Sequence, residues 1–179
     1  MVGVSDLLAT AGPVRPRTAS SSGRPWPSGR WRRADPAPSA RPYGVPVALD
    51  PLNLPETALE FLVERHLATM TTLRPDGSPH VVPVGFTFEA ATGLVRVITS
   101  GTSRKVANVR RGSRVVVAQV DGRRWLALEG DGRVLDGPDE VADAEERYGR
   151  RYRTPRENPA RVVVAFTADR VLGSVPPWD

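Results

Sequence analysis

One stretch gathers most of the chemistry this chain can offer: Val97-Ile98-Thr99-Ser100-Gly101-Thr102-Ser103-Arg104-Lys105-Val106-Ala107-Asn108. A strand pattern ends at Thr99, small hydroxyl residues follow, and a short helical pattern begins at Ser103. Backbone N–H groups at a helix start favour an anion. The hydroxyls of Ser100, Thr102 and Ser103 can donate to phosphate oxygens, and Lys105 adds a point charge. Two readings fit these residues: a phosphate site, or an ordinary helix capped by Ser103 behind a polar loop. A P-loop is excluded because the Gly-Lys-Ser/Thr run is missing. Lys105 is the only lysine among 25 basic residues.

A second stretch runs from Gln119 through Arg123-Arg124-Trp125-Leu126-Ala127-Leu128-Glu129-Gly130. Strand alternation puts Trp125, Ala127 and Glu129 on one face. That face is either part of a barrel core with an edge tryptophan, or the wall of a pocket for a planar ligand.

Other candidates carry less. His80 lies on a strand with no carboxylate nearby in sequence, which favours a structural role over catalysis. Asp139, Glu140, Asp143, Glu145 and Glu146 read as the solvated face of a helix. Arg147, Arg150, Arg151 and Arg153 could meet substrate carboxylates, although a surface role is the default. No catalytic side chain is identified. Cysteine is absent and there are only two histidines, His66 and His80, so no metal site is expected.

The elements that must position these residues begin near Asp50. Pro55 and Glu56 open a helix, with Leu59, Leu62, Val63 and His66 at helical spacing. Leu67–Arg74 reads as a strand closed by the turn Pro75-Asp76-Gly77-Ser78. Pro79–Glu89 follows as one strand with Val82, Val84, Phe86 and Phe88 on one face, then Leu94–Thr99. The helix from Ser103 runs to Arg111. Strands Arg114–Val120 and Arg123–Asp136 meet at Asp121-Gly122, a hairpin signal. Pro138 starts a helix with the stripe Val141, Ala144, Tyr148 and Tyr152. Arg161–Val171 is the last strand. Six strands with short turns and two or three helices imply an antiparallel barrel or sandwich. Strands and helices do not alternate, which disfavours a doubly wound parallel sheet.

Composition bounds the rest. The chain has 179 residues, enough for one domain with a sizeable core. No apolar run approaches the roughly twenty residues of a membrane helix. The net charge is +5, and residues 1–50 hold seven Arg against three Asp, leaving +1 for the remainder. The folded part therefore carries no basic footprint for nucleic acid. Prolines 13, 16, 25, 27, 36, 38, 42 and 46 forbid continuous helix or sheet, so residues 1–50 are expected to be disordered and residues 51–179 to form the cofactor-binding domain. The first ten residues lack a basic n-region, and no apolar segment follows the pair Arg32-Arg33, so the expected location is cytoplasmic.

From Leu54 onward these residues carry a resemblance. Phe61–Ala68, Ser78–Phe88, Arg96–Thr99, Ser103–Asn108, Gln119–Gly130, Arg150–Arg156 and Arg170–Ser174 together resemble, in order, the pyridoxamine-phosphate oxidase-like split-barrel flavin proteins. Within these the chain is most similar to the deazaflavin (coenzyme F420)-dependent reductases. The resemblance implies a mainly β (α+β) fold: a six-stranded antiparallel split β-barrel with two to three helices, of the FMN-binding split-barrel type. It implies coenzyme F420, with FMN as the alternative, and a homodimer with cofactor sites at the interface. In the family the Ser-x-Lys-x-x-Asn region holds the cofactor phosphate, which carries over to Ser103, Lys105 and Asn108, with Thr99, Ser100, Thr102 and Arg104 beside them. Val82, Pro83 and Val84 would lie along the ring system. Gln119, Trp125, Leu126 and Glu129 would complete the pocket. The implied activity is hydride transfer to a conjugated substrate, a biliverdin-like tetrapyrrole. The alternatives are an FMN-binding oxidase of the same fold and a non-catalytic protein that binds flavin or tetrapyrrole.

Overall fold

The computed structural model describes residues 47–175. The expected disordered segment lies outside the described residues up to position 46. Its last residues, Val47–Leu49, form a strand, β1. The sheet thus begins before Asp50, because β1 pairs antiparallel with the strand Arg170–Ser174, matching Leu49 to Val171.

The first helix, α1, spans Glu56–Val63 behind Pro55. Ala58, Phe61 and Leu62 are its buried face. The expected continuation to His66 does not form. Glu64 takes an extended ψ of 147°, which turns its carbonyl out of the helix, and Val63 is 69 % exposed.

Where the sequence reads as six strands, the described residues form ten in two sheets. After β1 come β2 (Ala68–Leu73), β3 (Pro79–Val84), β4 (Thr87–Glu89) and β5 (Leu94–Ser100). The helix α2 (Arg104–Val109) leads to β6 (Arg114–Asp121), β7 (Arg124–Asp131) and β8 (Arg133–Leu135). The helix α3 (Pro138–Arg151) precedes β9 (Arg161–Thr167) and β10 (Arg170–Ser174). One sheet has the order β1-β10-β7-β6-β2-β3 and the other β4-β5-β9-β8. Every pairing is antiparallel.

The extra breaks are the places where the chain changes sheets. The expected strand Pro79–Glu89 is interrupted at Gly85-Phe86, between β3 in one sheet and β4 in the other. Its apolar alternation survives the break: Val84 and Phe86 are buried in the core, and Val82 and Phe88 pack against it. The expected strand Arg161–Val171 breaks at Ala168-Asp169 for the same reason. Gly130 on β7 marks where the sheets touch, since a Cβ there would lie 2.4 Å from the Thr167 carbonyl oxygen. Both tight turns behave as their residues demand, with φ of 80° at Gly77 and 60° at Gly122.

The core between the sheets is built on Phe61, Phe86, Phe166, Met70, Leu126 and Leu128, all fully buried. Each such side chain contributes about 1.5–3 kcal/mol through removal from water. On the opposite side of the four-stranded sheet, α3 packs Ala144 onto Val163 and Ala165. This architecture is a mainly β split barrel.

Candidate functional site

A cavity of about 460 Å³ opens where the two sheets diverge. Pro83 and Val84 at the end of β3 and the connecting Gly85 form one wall; Ile98 and Thr99 of β5 form another. Lys105 enters from α2 and Tyr148 from α3, and the segment after α3 adds Arg153, Pro155, Arg156 and Arg161. Gly85 is required for this shape, since a Cβ would sit 2.7 Å from Tyr148 Cε2 and 3.2 Å from Tyr152 Cε2. The volume lies in the range of about 300–1,000 Å³ typical of small-molecule sites.

The cavity lining is rich in cations: Lys105, Arg153, Arg156 and Arg161. Lys105 is half-buried, and burial holds its ammonium below the ordinary lysine value. Among the described residues no carboxylate lies within ion-pair distance of it, nor of Arg153 or Arg156. Arg161 is neutralised by Glu145 at 2.8 Å. An unpaired, partly desolvated cation is costly alone and gains most from an anionic ligand.

The hydroxyl loop is arranged differently from the expectation. Ser103 occupies the N-cap position of α2, but its side chain makes no capping bond; its Oγ lies 3.4 Å from Thr99 Oγ1. Ser100 Oγ and Thr102 Oγ1 are 3.1 Å apart. Thr102 and Arg104 are exposed, and neither lines the cavity. Asn108 is buried and donates from Nδ2 to Thr72 Oγ1 at 2.9 Å, so it fastens α2 to β2 instead of facing the cavity. Its Oδ1 has no partner among the described residues.

Of the expected ring wall, Pro83 and Val84 line the cavity and Val82 does not. Gln119 is fully buried, donates to the Phe61 carbonyl at 2.7 Å and accepts from Arg151 at 2.7 Å. Leu126 is core. Trp125 and Glu129 share the outward face of the six-stranded sheet, as alternation predicts, away from this chain's cavity. His80 is half-buried with Nδ1 3.5 Å from Thr72 Oγ1. Burial, then the charges of Arg74, Lys105 and Arg104, hold it below the ordinary histidine value.

Sequence reasoning missed Gly85, Ile98, Tyr148, Pro155, Arg156 and Arg161. Tyr148 was visible as part of the α3 stripe, and Gly85 as the single glycine inside a long strand pattern. The four arginines of the 147–153 run now separate. Arg147 pairs with Asp143 at 2.8 Å and Arg150 with Glu146 at 2.9 Å. Arg151 is turned inward onto carbonyls, and Arg153 alone reaches the cavity. Elsewhere, Glu64, His66 and Asp121 converge closely enough to hold an ion, but the Arg124 guanidinium bonds both carboxylates and fills that role.

A family model described as pyridoxamine 5'-phosphate oxidase matches residues 54–174. The F420H(2)-dependent biliverdin reductase of Mycobacterium tuberculosis (strain CDC 1551 / Oshkosh) is 58 % identical over 122 residues, covering 68 % of this chain and 89 % of that protein. A solved F420 reductase superposes with a TM-score of 0.55 at 21 % identity, covering 66 % of this chain and 98 % of that one. A conserved hypothetical protein of Mycobacterium tuberculosis gives 0.56 at 20 % identity, covering 69 % and 86 %. At these identities the two structures establish the fold alone.

Proposed function

The chain belongs to the pyridoxamine 5'-phosphate oxidase family, and on that basis we propose that it is a coenzyme F420-dependent reductase acting on a conjugated tetrapyrrole of the biliverdin kind. The carrying observation is the likeness, over most of the folded part, to a reductase named for that cofactor and substrate.

The cavity residues fit the cofactor. Lys105 supplies an unpaired cation for a phosphate, with Thr99 beside it. Pro83, Val84 and Gly85 offer a flat backbone wall for a ring system, and Ile98 and Tyr148 add apolar surface. When bound, a reduced deazaflavin supplies a hydride to an electrophilic carbon of the conjugated substrate. The chain's own contribution is binding, orientation and exclusion of water. Arg153 and Arg156, exposed at the mouth, suit carboxylates. In this reading water supplies the accompanying proton.

The reading includes a homodimer. The outward face of the six-stranded sheet carries Leu67, Val81 and Val120, which are 64 %, 55 % and 61 % exposed. A smaller hollow of about 190 Å³ on that face shares Pro83 with the cavity. Covering this face with a second copy would close the cavity from outside, and Trp125 and Glu129 would reach a cofactor from the neighbouring chain. It also includes a cytoplasmic location and a leading segment that is dispensable for binding. No helix of the described residues is long and apolar enough to cross a membrane.

Parallel titrations with the deazaflavin and with FMN test the cofactor assignment. Preference for the deazaflavin is expected; preference for FMN would favour the oxidase reading. Light scattering tests assembly, and a monomer that binds cofactor fully would contradict the dimer.

A further inference from the structure

At the connection Gly85-Phe86 a cavity wall is also a crossing between sheets, and it is held from a distance. Phe86 contributes one backbone donor and one acceptor, and neither is used by a strand partner. The last residue of α3 and its neighbour take both. Arg151 Nη1 donates to the Phe86 carbonyl at 2.7 Å, and the Phe86 N–H donates to Tyr152 Oη at 3.2 Å. Tyr152 Oη in turn donates to the His66 carbonyl at 2.8 Å.

The rest of the Arg151 guanidinium is equally committed. Nε and Nη2 donate to the Glu64 carbonyl at 3.0 and 2.9 Å, and Nη2 also reaches Gln119 Oε1 at 2.7 Å. Its plane lies 4.3 Å from the Phe86 ring centre. No carboxylate among the described residues forms an ion pair with it, and its hydrogen bonds all go to neutral oxygens. Such a group is expensive to bury, and replacing it with an apolar residue would leave four bonds unmade. A cheaper solution for stability alone would be a hydrophobic plug. The arrangement does something a plug cannot do: it fixes the Glu64, Phe86 and Gln119 oxygens relative to one another.

We propose that Arg151 and Tyr152 are positioning residues that set the place of the Pro83–Gly85 wall, and through it the affinity of the cavity for a ring ligand they do not touch. The rings of Tyr148 and Tyr152 lie against Gly85, so the clamp bears directly on the wall. The segment Arg153–Arg161, which also lines the cavity, leaves directly from Tyr152. One clamp therefore anchors both the wall and that segment. This inference rests on the cavity being the cofactor site.

The test compares Arg151→Lys and Tyr152→Phe with the wild-type chain by fluorescence titration of the deazaflavin and of an analogue lacking the phosphate. Tyr152→Phe removes one oxygen and keeps the ring against Gly85, so it remains informative if the Arg151 variant folds poorly. Each variant is expected to weaken both ligands by the same factor: about five-fold for Tyr152→Phe, which loses the bond accepted from the Phe86 N–H and the one donated to the His66 carbonyl, and about ten-fold or more for Arg151→Lys. Lysine keeps the charge but cannot reproduce the fork, so it should not rescue binding. A lower melting temperature with unchanged affinity of the folded protein would overturn the proposal, leaving the clamp a stabilising feature only. So would a loss confined to the phosphate-bearing ligand, which would make Arg151 a remote charge. If the wild-type chain binds neither deazaflavin nor FMN, the proposed function falls and takes this inference with it. Binding insensitive to both variants removes the inference alone.

Discussion

Lys105→Ala is the perturbation with the most clearly bounded outcome. The ammonium lines the cavity, is half-buried and has no ion-pair partner among the described residues. Removing it from the empty protein breaks no bond and relieves a desolvation cost, so the melting temperature should stay the same or rise slightly. Removing it from the complex loses one charge-assisted contact to phosphate, about 1.5–3 kcal/mol, or roughly ten- to a hundred-fold in Kd. The end of α2 adds little, because that helix has six residues and no side-chain cap. The assay is equilibrium titration with the deazaflavin and with its phosphate-free analogue. The loss should nearly vanish for the analogue. The wild-type affinity should also fall at alkaline pH, beginning below the ordinary lysine value of 10.5, because a phosphate favours the protonated amine that burial disfavours. The variant should lack that alkaline limb. Equal weakening of both ligands would refute the phosphate assignment.

Gly130→Ala should cost about 1–3 kcal/mol and several degrees of melting temperature, because its Cβ would meet the Thr167 backbone oxygen, which cannot rotate away. A chain beginning at Val47 should melt and bind as the full chain does. One beginning at Asp50 should melt lower, since it loses all three β1–β10 pairings and exposes the β10 edge. Glu64 and Asp121 are held below their ordinary values of 4.5 and 3.8 chiefly by hydrogen bonds from Arg124. Depressed carboxylates stabilise the fold above their ordinary values and stop doing so as pH falls through the depressed ones. The melting temperature of Arg124→Ala should therefore lie below wild type near neutrality and converge with it in acid; a constant offset down to strong acid would contradict this.

The sequence was most legible where a short-range rule decides the structure. Period-two alternation placed Trp125, Ala127 and Glu129 on one face, and Gly77 and Gly122 took the positive φ their turns require. The same alternation concealed the change of sheets at Gly85-Phe86, since Val82, Val84, Phe86 and Phe88 keep facing the core through the break. Three-residue β1 was hidden by the proline-rich stretch before it; it exists because β10 offers an edge. Within the site, Lys105 was singled out from residue type and order, and Thr99, Pro83 and Val84, which also line the cavity, came from the family resemblance. Asn108 and Gln119 were expected at the cavity from the family resemblance, yet both are buried ties between elements. Nothing local distinguishes a polar side chain that binds a ligand from one that satisfies a distant carbonyl. Arg147 and Arg150 pair at helical spacing with Asp143 and Glu146, whereas Arg151 meets a carbonyl 87 positions away, beyond the reach of spacing arguments.

The central claim is that this chain passes hydride from a reduced deazaflavin to a biliverdin-like substrate. The most direct measurement is anaerobic mixing of the protein loaded with the reduced cofactor against biliverdin, following both chromophores in one time course. The expected result is loss of the biliverdin band together with appearance of oxidised cofactor, in one-to-one ratio and at a rate that depends on the protein. Tight binding of both molecules with no reoxidation of the cofactor would contradict the account and leave a binding protein in its place.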